Sequence, residues 1–166
     1  MADLYIMAGI PGSGKSTWAK SHLSLCDKYI SRDEIRFSMV KEDEEYFAKE
    51  DEVFKEFCNQ ITAGLKNGYN VFADATHINK KSRNKLISNV SGYDRVSVIV
   101  MDYPLPIALE QNEKRKGTRA YVPKSVIRRM YNQFEFPNYD EGFAKIYRVK
   151  YGVKEIEFIK ERKEDL

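Results

Sequence analysis

Leu4-Tyr5-Ile6-Met7-Ala8-Gly9-Ile10-Pro11-Gly12-Ser13-Gly14-Lys15-Ser16-Thr17-Trp18-Ala19 is the stretch whose reading decides the fold. Leu4–Ala8 is a short apolar run that reads as a buried strand, and Trp18, Ala19, His22 and Leu23 recur at helical spacing beyond it. Between the two, Gly9–Ser16 matches GxxxxGK[ST] in full. The spacing has a physical reason: glycines let the backbone turn its N–H groups inward around phosphate oxygens, and the following helix points its positive end at the same anion. On this reading Gly9, Gly12, Ser13, Gly14, Lys15, Ser16 and Thr17 hold the phosphates of ATP or another nucleoside triphosphate. Lys15 bridges the outer phosphates and the Ser16 hydroxyl ligates Mg²⁺. A glycine-rich turn that matched by chance would lack the strand and helix that flank this one.

Outward from this loop the chain alternates strand and helix signals. Lys28–Ile30 is a brief second strand, and Ser31-Arg32-Asp33 suits a helix start before Ile35. Phe54, Phe57, Cys58, Ile61 and Leu65 share one face of a long helix that Gly68 ends. Val71–Ala73 is a third strand, ending at Asp74; Lys80–Val90 is helical; Val96–Met101 is a β-branched fourth strand. Pro123 sits in the first turn of a helix carrying Val126, Ile127, Met130, Tyr131 and Phe134, stopped by Pro137. Ile146–Val149 is a fifth strand, and the tail from Tyr151 fits a strand or a helix equally. The expectation is an α/β P-loop NTPase fold of the kinase type, a parallel sheet of about five strands with helices on both faces. A length of 166 residues suits one domain, 1–166, with one active site.

The composition, 42% hydrophobic and 32% charged, is that of a folded globular chain rather than a disordered one. Met1-Ala2-Asp3 leads straight into a strand and does not resemble a signal peptide, and no segment is long and apolar enough to span a membrane. Cys26 and Cys58 stand alone without CxxC spacing, so a reduced, cytoplasmic protein is expected. A net charge of +3 does not by itself argue for nucleic acid. Basic residues gather at Lys80–Lys85 and Lys114–Arg129, acidic ones at Glu42–Glu56 and Glu155–Asp165, and each group also reads as a solvated helix face.

Three further elements carry chemistry. A P-loop site needs an aspartate at the end of a later strand to hold the metal, and Asp74 is placed for it, beside its reading as an ordinary strand-end residue. Asp33 and Arg36 stand i, i+3 at a helix start, where a carboxylate can take the proton of an attacking hydroxyl and a guanidinium can hold an acceptor anion. A capping aspartate with an exposed arginine fits the same spacing. The charged stretch 111–123, with Gly117, reads either as a lid that brings Arg115 or Arg119 onto the transferring phosphate or as a solvated loop. His22 and His77 have no partner spacing and are not read as metal ligands.

With these residues in view, the chain resembles the 5′-hydroxyl polynucleotide kinases of the bacteriophage type. Gly9–Ala19 is similar to that family's loop and first helix, including Pro11 and Ser16-Thr17-Trp18. Ser31-Arg32-Asp33-Glu34-Ile35-Arg36 resembles its Arg-Asp-x-x-Arg element, whose aspartate is the general base and whose second arginine contacts acceptor phosphate. Asp74-Ala75-Thr76-His77-Ile78-Asn79, followed by Arg83, resembles its Asp-Thr-Asn segment, and Asn112–Pro123 running on to Tyr131 resembles its lid. Ala75, Lys116 and Tyr121 are insertions against the family pattern, Gln111 stands for an arginine, and no aspartate-rich phosphatase motif follows. Phe134-Glu135-Phe136-Pro137 and Glu141-Gly142-Phe143 look like stand-alone relatives labelled AAA-type ATPases, kinases of a zeta-toxin-like group rather than ring-forming motors. The resemblance implies catalytic roles for Lys15, Asp33 and Arg115, nucleotide contact by Arg119, substrate contact by Asp33, Arg36, Asp74 and Thr76, and Mg²⁺ at Ser16 and Asp74.

The leading expectation is therefore a Mg²⁺-NTP-dependent kinase acting on the 5′-hydroxyl end of DNA or RNA. A P-loop kinase of a small hydroxyl compound (a sugar, nucleoside or antibiotic) is the alternative within phosphoryl transfer, and a nucleotide-driven switch without catalysis is the alternative outside it. No membrane partner is expected, and the oligomeric state is not legible.

Overall fold

The structure is a computed structural model that describes residues 2–159. Five strands run parallel: β1 (Asp3–Ala8), β2 (Asp27–Ser31), β3 (Asn70–Asp74), β4 (Arg95–Asp102) and β5 (Ile146–Lys150). A sixth, β6 (Glu157–Ile159), adds antiparallel to β5, giving the order β2-β3-β1-β4-β5-β6. The parallel five are those expected from the sequence. The tail from Tyr151, which fitted either element, turns at Tyr151–Gly152 and forms a strand at 157–159; residues 160–166 lie outside the described residues.

Six helices connect the strands: α1 (Lys15–His22), α2 (Arg32–Met39), α3 (Glu50–Lys66), α4 (Lys80–Asn89), α5 (Leu105–Glu113) and α6 (Lys124–Gln133). Alternation along the strands sorts the core. Leu4, Ile6, Ala8, Val71, Ala73, Val96, Val98 and Val100 face Phe57, Ile61 and Leu65 of α3 and Leu86 of α4. Met7, Phe72, Ile99 and Met101 point to the opposite face, where Ala19 and Trp18 of α1 pack. A third cluster joins Ile10 of the glycine loop to Ala108 of α5 and Ile127 of α6. The helix α5 was not anticipated, because Leu105-Pro106 and the polar Gln111-Asn112-Glu113 interrupt any apolar stripe. Its carbonyl at Ala108 lies only 2.2 Å from where a Cβ on Gly12 would stand, so Gly12 lets helix and loop close on each other.

Parallel strands place all their carboxyl ends on one edge, and the segments that leave that edge are tied together there. Gly9 donates its N–H to the Thr76 carbonyl (2.9 Å), and Nδ1–H of the buried His77 donates to the Met7 carbonyl (2.6 Å). Arg83, fully buried, donates Nη1–H to the His77 carbonyl (2.9 Å) and Nε–H to Glu141 (2.7 Å). Arg83 thus stakes the β3–α4 connection to the short 3₁₀ turn at Tyr139–Glu141.

Glu141→Ala would leave the Arg83 charge buried without its carboxylate, and that loss should cost about 3–5 kcal/mol of unfolding free energy. Urea denaturation checks it; a change below about 1 kcal/mol would mean that the pair does not anchor this connection.

Candidate active site

The glycine loop is built to receive an anion. Gly12 and Gly14 take φ of 82° and 78°, the left-handed region that turns successive N–H groups to one side. Helix α1 starts at Lys15 with no side-chain cap and no acidic residue in its first turn, so its amino end keeps its positive potential. The hydroxyl of Ser13 is buried without a hydrogen-bond partner, an orphan that a phosphate oxygen would satisfy. Lys15 donates to the carbonyls of Gly9 and Ile10, both at 2.9 Å. Loss of surrounding water pushes its ammonium pKa down, with the nearby charge of Arg115 adding to the shift and Asp74 and Asp33 opposing it.

Asp74 ends β3 opposite Met7 of β1 and Ser31 of β2, on the same sheet face as α1. It is buried and accepts a hydrogen bond from the Tyr29 hydroxyl. Burial raises its carboxyl pKa, against the pull of Lys15 and Tyr29. A buried carboxylate beside a P-loop suits a cation, for which carboxylate and hydroxyl oxygens are hard donors. Thr76 follows on the connection whose carbonyl holds Gly9.

Helix α2 carries Asp33 and Arg36. The side chain of Ser31 caps this helix by accepting the Glu34 N–H (3.2 Å), so Asp33 is not the cap and its side chain stays 61% exposed. Arg36 is the reverse, with a side chain only 7% exposed. It grips Glu50 of α3 through Nε (3.1 Å) and Nη2 (2.7 Å), while Nη1 donates to Asp33 Oδ1 and to the Tyr46 hydroxyl (3.0 Å). Arg32 also donates to Glu50 (2.6 Å). Although burial pushes the Glu50 carboxyl up, the two arginines hold it below its ordinary value. Four of the five N–H groups of Arg36 are therefore committed, and among the described residues one on Nη2 has no partner.

The two lid candidates separate. Arg115 lines a cleft of 520 Å³ with Gly12, Gly14, Trp18, Tyr103 and Gln111, directly over the glycine loop. Arg119 turns instead to α2, donating to the carbonyls of Phe37 (3.1 Å) and Val40, with its guanidinium over the Phe37 ring. The structure thus brings Asp74, Arg115 and Asp33 near enough for their charges to reach Lys15. It places Arg119 at the end of α2.

A comparison with protein families matches residues 4–137 to AAA_33, described as an AAA domain. The chain belongs to this family. Among curated relatives, an L-seryl-tRNA(Sec) kinase of Methanococcus maripaludis is 28% identical over 138 residues, covering 81% of this chain and 53% of that protein. A "Putative bifunctional polynucleotide kinase/RNA ligase" of Autographa californica nuclear polyhedrosis virus is 30% identical over 147 residues, covering 80% of this chain and 21% of that protein. The chain spans about half the length of the first and about a fifth of the second. Among solved structures, a chain of the Pnkp1/Rnl/Hen1 RNA repair complex superposes with a TM-score of 0.70 at 29% identity, over 80% of this chain and 43% of that one. Chaetomium thermophilum Kti12 with ADP-AlF3, at TM-score 0.66 and 19% identity over 90% of this chain and 89% of that one, shares the fold. The AAA-domain family membership and these neighbours establish a P-loop kinase fold.

Tyr29, Tyr46 and Glu50 escaped sequence reading. Glu50 lies in an acidic stretch that reads as solvated surface, and Tyr29 meets Asp74 only once the β2–β3 pairing is known.

The loop's scaffold has a pH signature. Burial, aided by the charges of Arg32, Lys15 and Arg83, pushes the His77 pKa down to about 4 from 6.5. Because the folded value is the lower one, the unfolded chain takes up the proton first, so stability present above pH 6.5 is lost as pH falls toward 4. The loss should reach about 3 kcal/mol. His77→Asn, which tolerates the left-handed backbone (φ 42°) and keeps a donor, should abolish this part of the pH slope in urea titrations at pH 7, 5.5 and 4. An unchanged slope would show that His77 does not carry it.

Proposed function

We propose that this chain is a kinase that moves the terminal phosphate of a nucleoside triphosphate to the 5′-hydroxyl end of a nucleic acid. The observation that carries the reading is the exposed carboxylate of Asp33, clamped by Arg36 on a helix that leaves the sheet edge where the uncapped glycine loop and Lys15 stand. A switch that only binds nucleotide has no use for a poised base at that place.

Asp33 takes the proton of the acceptor hydroxyl as its oxygen bonds to the γ-phosphorus; the bond to the bridging oxygen breaks, and the nucleoside diphosphate leaves with the electron pair. Lys15 and the α1 amino end draw charge from the donor phosphates, and Arg115 covers them from the cleft above. Mg²⁺, held by Ser16 and Asp74, would neutralise charge on the outer phosphates. Arg36 orients Asp33, and its free N–H is available to an acceptor phosphate. The stretch 111–123 acts as the lid, with Arg115 as its phosphate arm and Arg119 as its anchor. Arg119 is engaged by the end of α2 in this arrangement, where the family pattern implies a nucleotide contact.

The nucleic-acid acceptor is supported by the relatives, since a viral protein named as a putative polynucleotide kinase/RNA ligase and a chain of an RNA repair complex are among the matches near 30% identity. A small-molecule acceptor remains the second reading, favoured by the modest net charge of +3. Likeness to a gluconokinase, at 14% identity, shows the fold alone.

Labelled γ-phosphate should pass to 5′-hydroxyl oligonucleotides and not to sugars or antibiotics, with acceptor affinity falling steeply as salt is raised. Transfer to a small hydroxyl compound alone, indifferent to salt, would move the assignment to the second reading. Asp33→Ala should lower turnover about 100-fold or more while nucleotide affinity stays within about twofold, and Lys15→Ala should damage the donor side.

A further inference from the structure

Asp33 has a second partner that the reading above does not use. The connection between α2 and α3, residues 40–49, carries Tyr46, whose hydroxyl lies 3.0 Å from Asp33 Oδ1 and 3.0 Å from Arg36 Nη1. The direction of these bonds is fixed by chemistry. A guanidinium has only donors, so Arg36 donates to the Tyr46 oxygen, and the phenolic proton is left to point at Asp33. Desolvation and the charge of Asp33 push the Tyr46 pKa up to about 12, so the phenol keeps its proton at neutral pH. Both donors, Tyr46 and Arg36, converge on Oδ1. Among the described residues no hydrogen bond engages Oδ2.

Resting on the kinase reading, we propose that Tyr46 is a positioning residue that fixes the Asp33 carboxylate by one oxygen, so that the other is presented to the acceptor hydroxyl. An exposed aspartate otherwise samples its rotamers freely, and a base must stand within hydrogen-bond reach of the proton it removes. Arg36 alone does not fix the carboxylate plane, because a single N–H to one oxygen leaves rotation about that contact. A second donor arriving on the same oxygen from another segment removes this freedom. The second segment is itself fixed. The Tyr46 ring meets Phe37 and Phe47 edge-on, with centroids 6.3 and 4.7 Å away, and lies 4.6 Å from the Arg36 guanidinium. Lys49 ties the same connection to the Met39 carbonyl at the end of α2 (3.0 Å). Glu50 then holds Arg36 from behind through both of its oxygens. Charge alternates from Glu50 to Arg36 to Asp33, and Tyr46 closes the last link.

Tyr46→Phe keeps the ring, its edge contacts and its stacking on Arg36, and removes only the hydroxyl. The assay is steady-state, initial-rate transfer from labelled ATP with Mg²⁺, on a 5′-hydroxyl oligonucleotide and beside it a panel of nucleosides and sugars. With whichever acceptor takes phosphate, Tyr46→Phe should lower kcat about tenfold with the KM for ATP unchanged, and should cause no further loss when added to Asp33→Ala. A residue that merely packs would leave Tyr46→Phe like wild type; one acting independently of Asp33 would multiply its loss with that of Asp33→Ala. Either result overturns the inference while the kinase reading stands. Full turnover by Asp33→Ala, or no transfer to any acceptor, overturns the kinase reading and the inference with it.

Discussion

Parallel pairing of β1 with β3, in the register that sets Met7 opposite Asp74, is the constraint on which the site rests. Side chains alternate along a strand, so this register sends Phe72 and Asp74 to the face of α1 while Val71 and Ala73 enter the core under α3. A slip by one residue would put Asp74 among Phe57, Ile61 and Leu65 and bring an alanine to the glycine loop. The core therefore specifies the electrostatics: burying Asp74 in apolar surroundings would cost several kcal/mol, and this penalty excludes the slipped register. Two bonds beyond the strand ends, Gly9 to Thr76 and His77 to Met7, hold the loop and the Asp74 connection together once the register is set.

The arginines of this chain divide by what they already hold. Arg83 is closed on Glu141, Arg36 on Glu50 and Asp33, Arg148 on Asp102, and Arg119 on the carbonyls that end α2. A guanidinium whose donors are filled orients its partners; it gives little to a ligand, because each new bond displaces an old one. Arg115, lining the cleft above Gly12 and Gly14, is placed to receive negative charge. Lys15 stands in between. Its bonds go to neutral loop carbonyls, which a phosphate oxygen replaces at a gain, and burial lowers its pKa.

The strands and the glycine loop were legible because each rests on local chemistry: apolar runs of β-branched residues, a fixed glycine spacing, a serine ahead of a helix. Asp33 and Asp74 were legible as positions, at a helix start and a strand end. Their surroundings were not, since Tyr29 reaches Asp74 across a strand pairing and Glu50 reaches Arg36 across 14 residues that carry no periodic signal. Arg36 shows the limit most clearly. Spacing puts it on the same side as Asp33, but whether it is free or filled depends on a carboxylate from another helix. Arg115 and Arg119 stand four apart and look alike in sequence; the 114–123 connection turns between them at Gly117 (φ 85°), and only the folded backbone sends one to the loop and the other to α2.

That division of the two arginines links the halves of the site. Helix α2 ends with its last carbonyls unpaired, a place where a cation is favoured by both hydrogen bonding and the helix dipole. Arg119 fills it through Phe37 and Val40, and its guanidinium stacks on the Phe37 ring whose edge meets Tyr46. The segment carrying Arg115 is therefore fastened to the helix carrying Asp33. A shift of residues 114–123 toward the glycine loop must either break the two bonds of Arg119 or draw the end of α2 with it. Helices are stiff over eight residues, so a movement at Val40 is felt at Asp33 less than two turns away. The segment carrying Arg115 and the helix carrying Asp33 thus belong to one packed unit, in which Asp33, Arg36, Tyr46, Phe37 and Arg119 each touch the next.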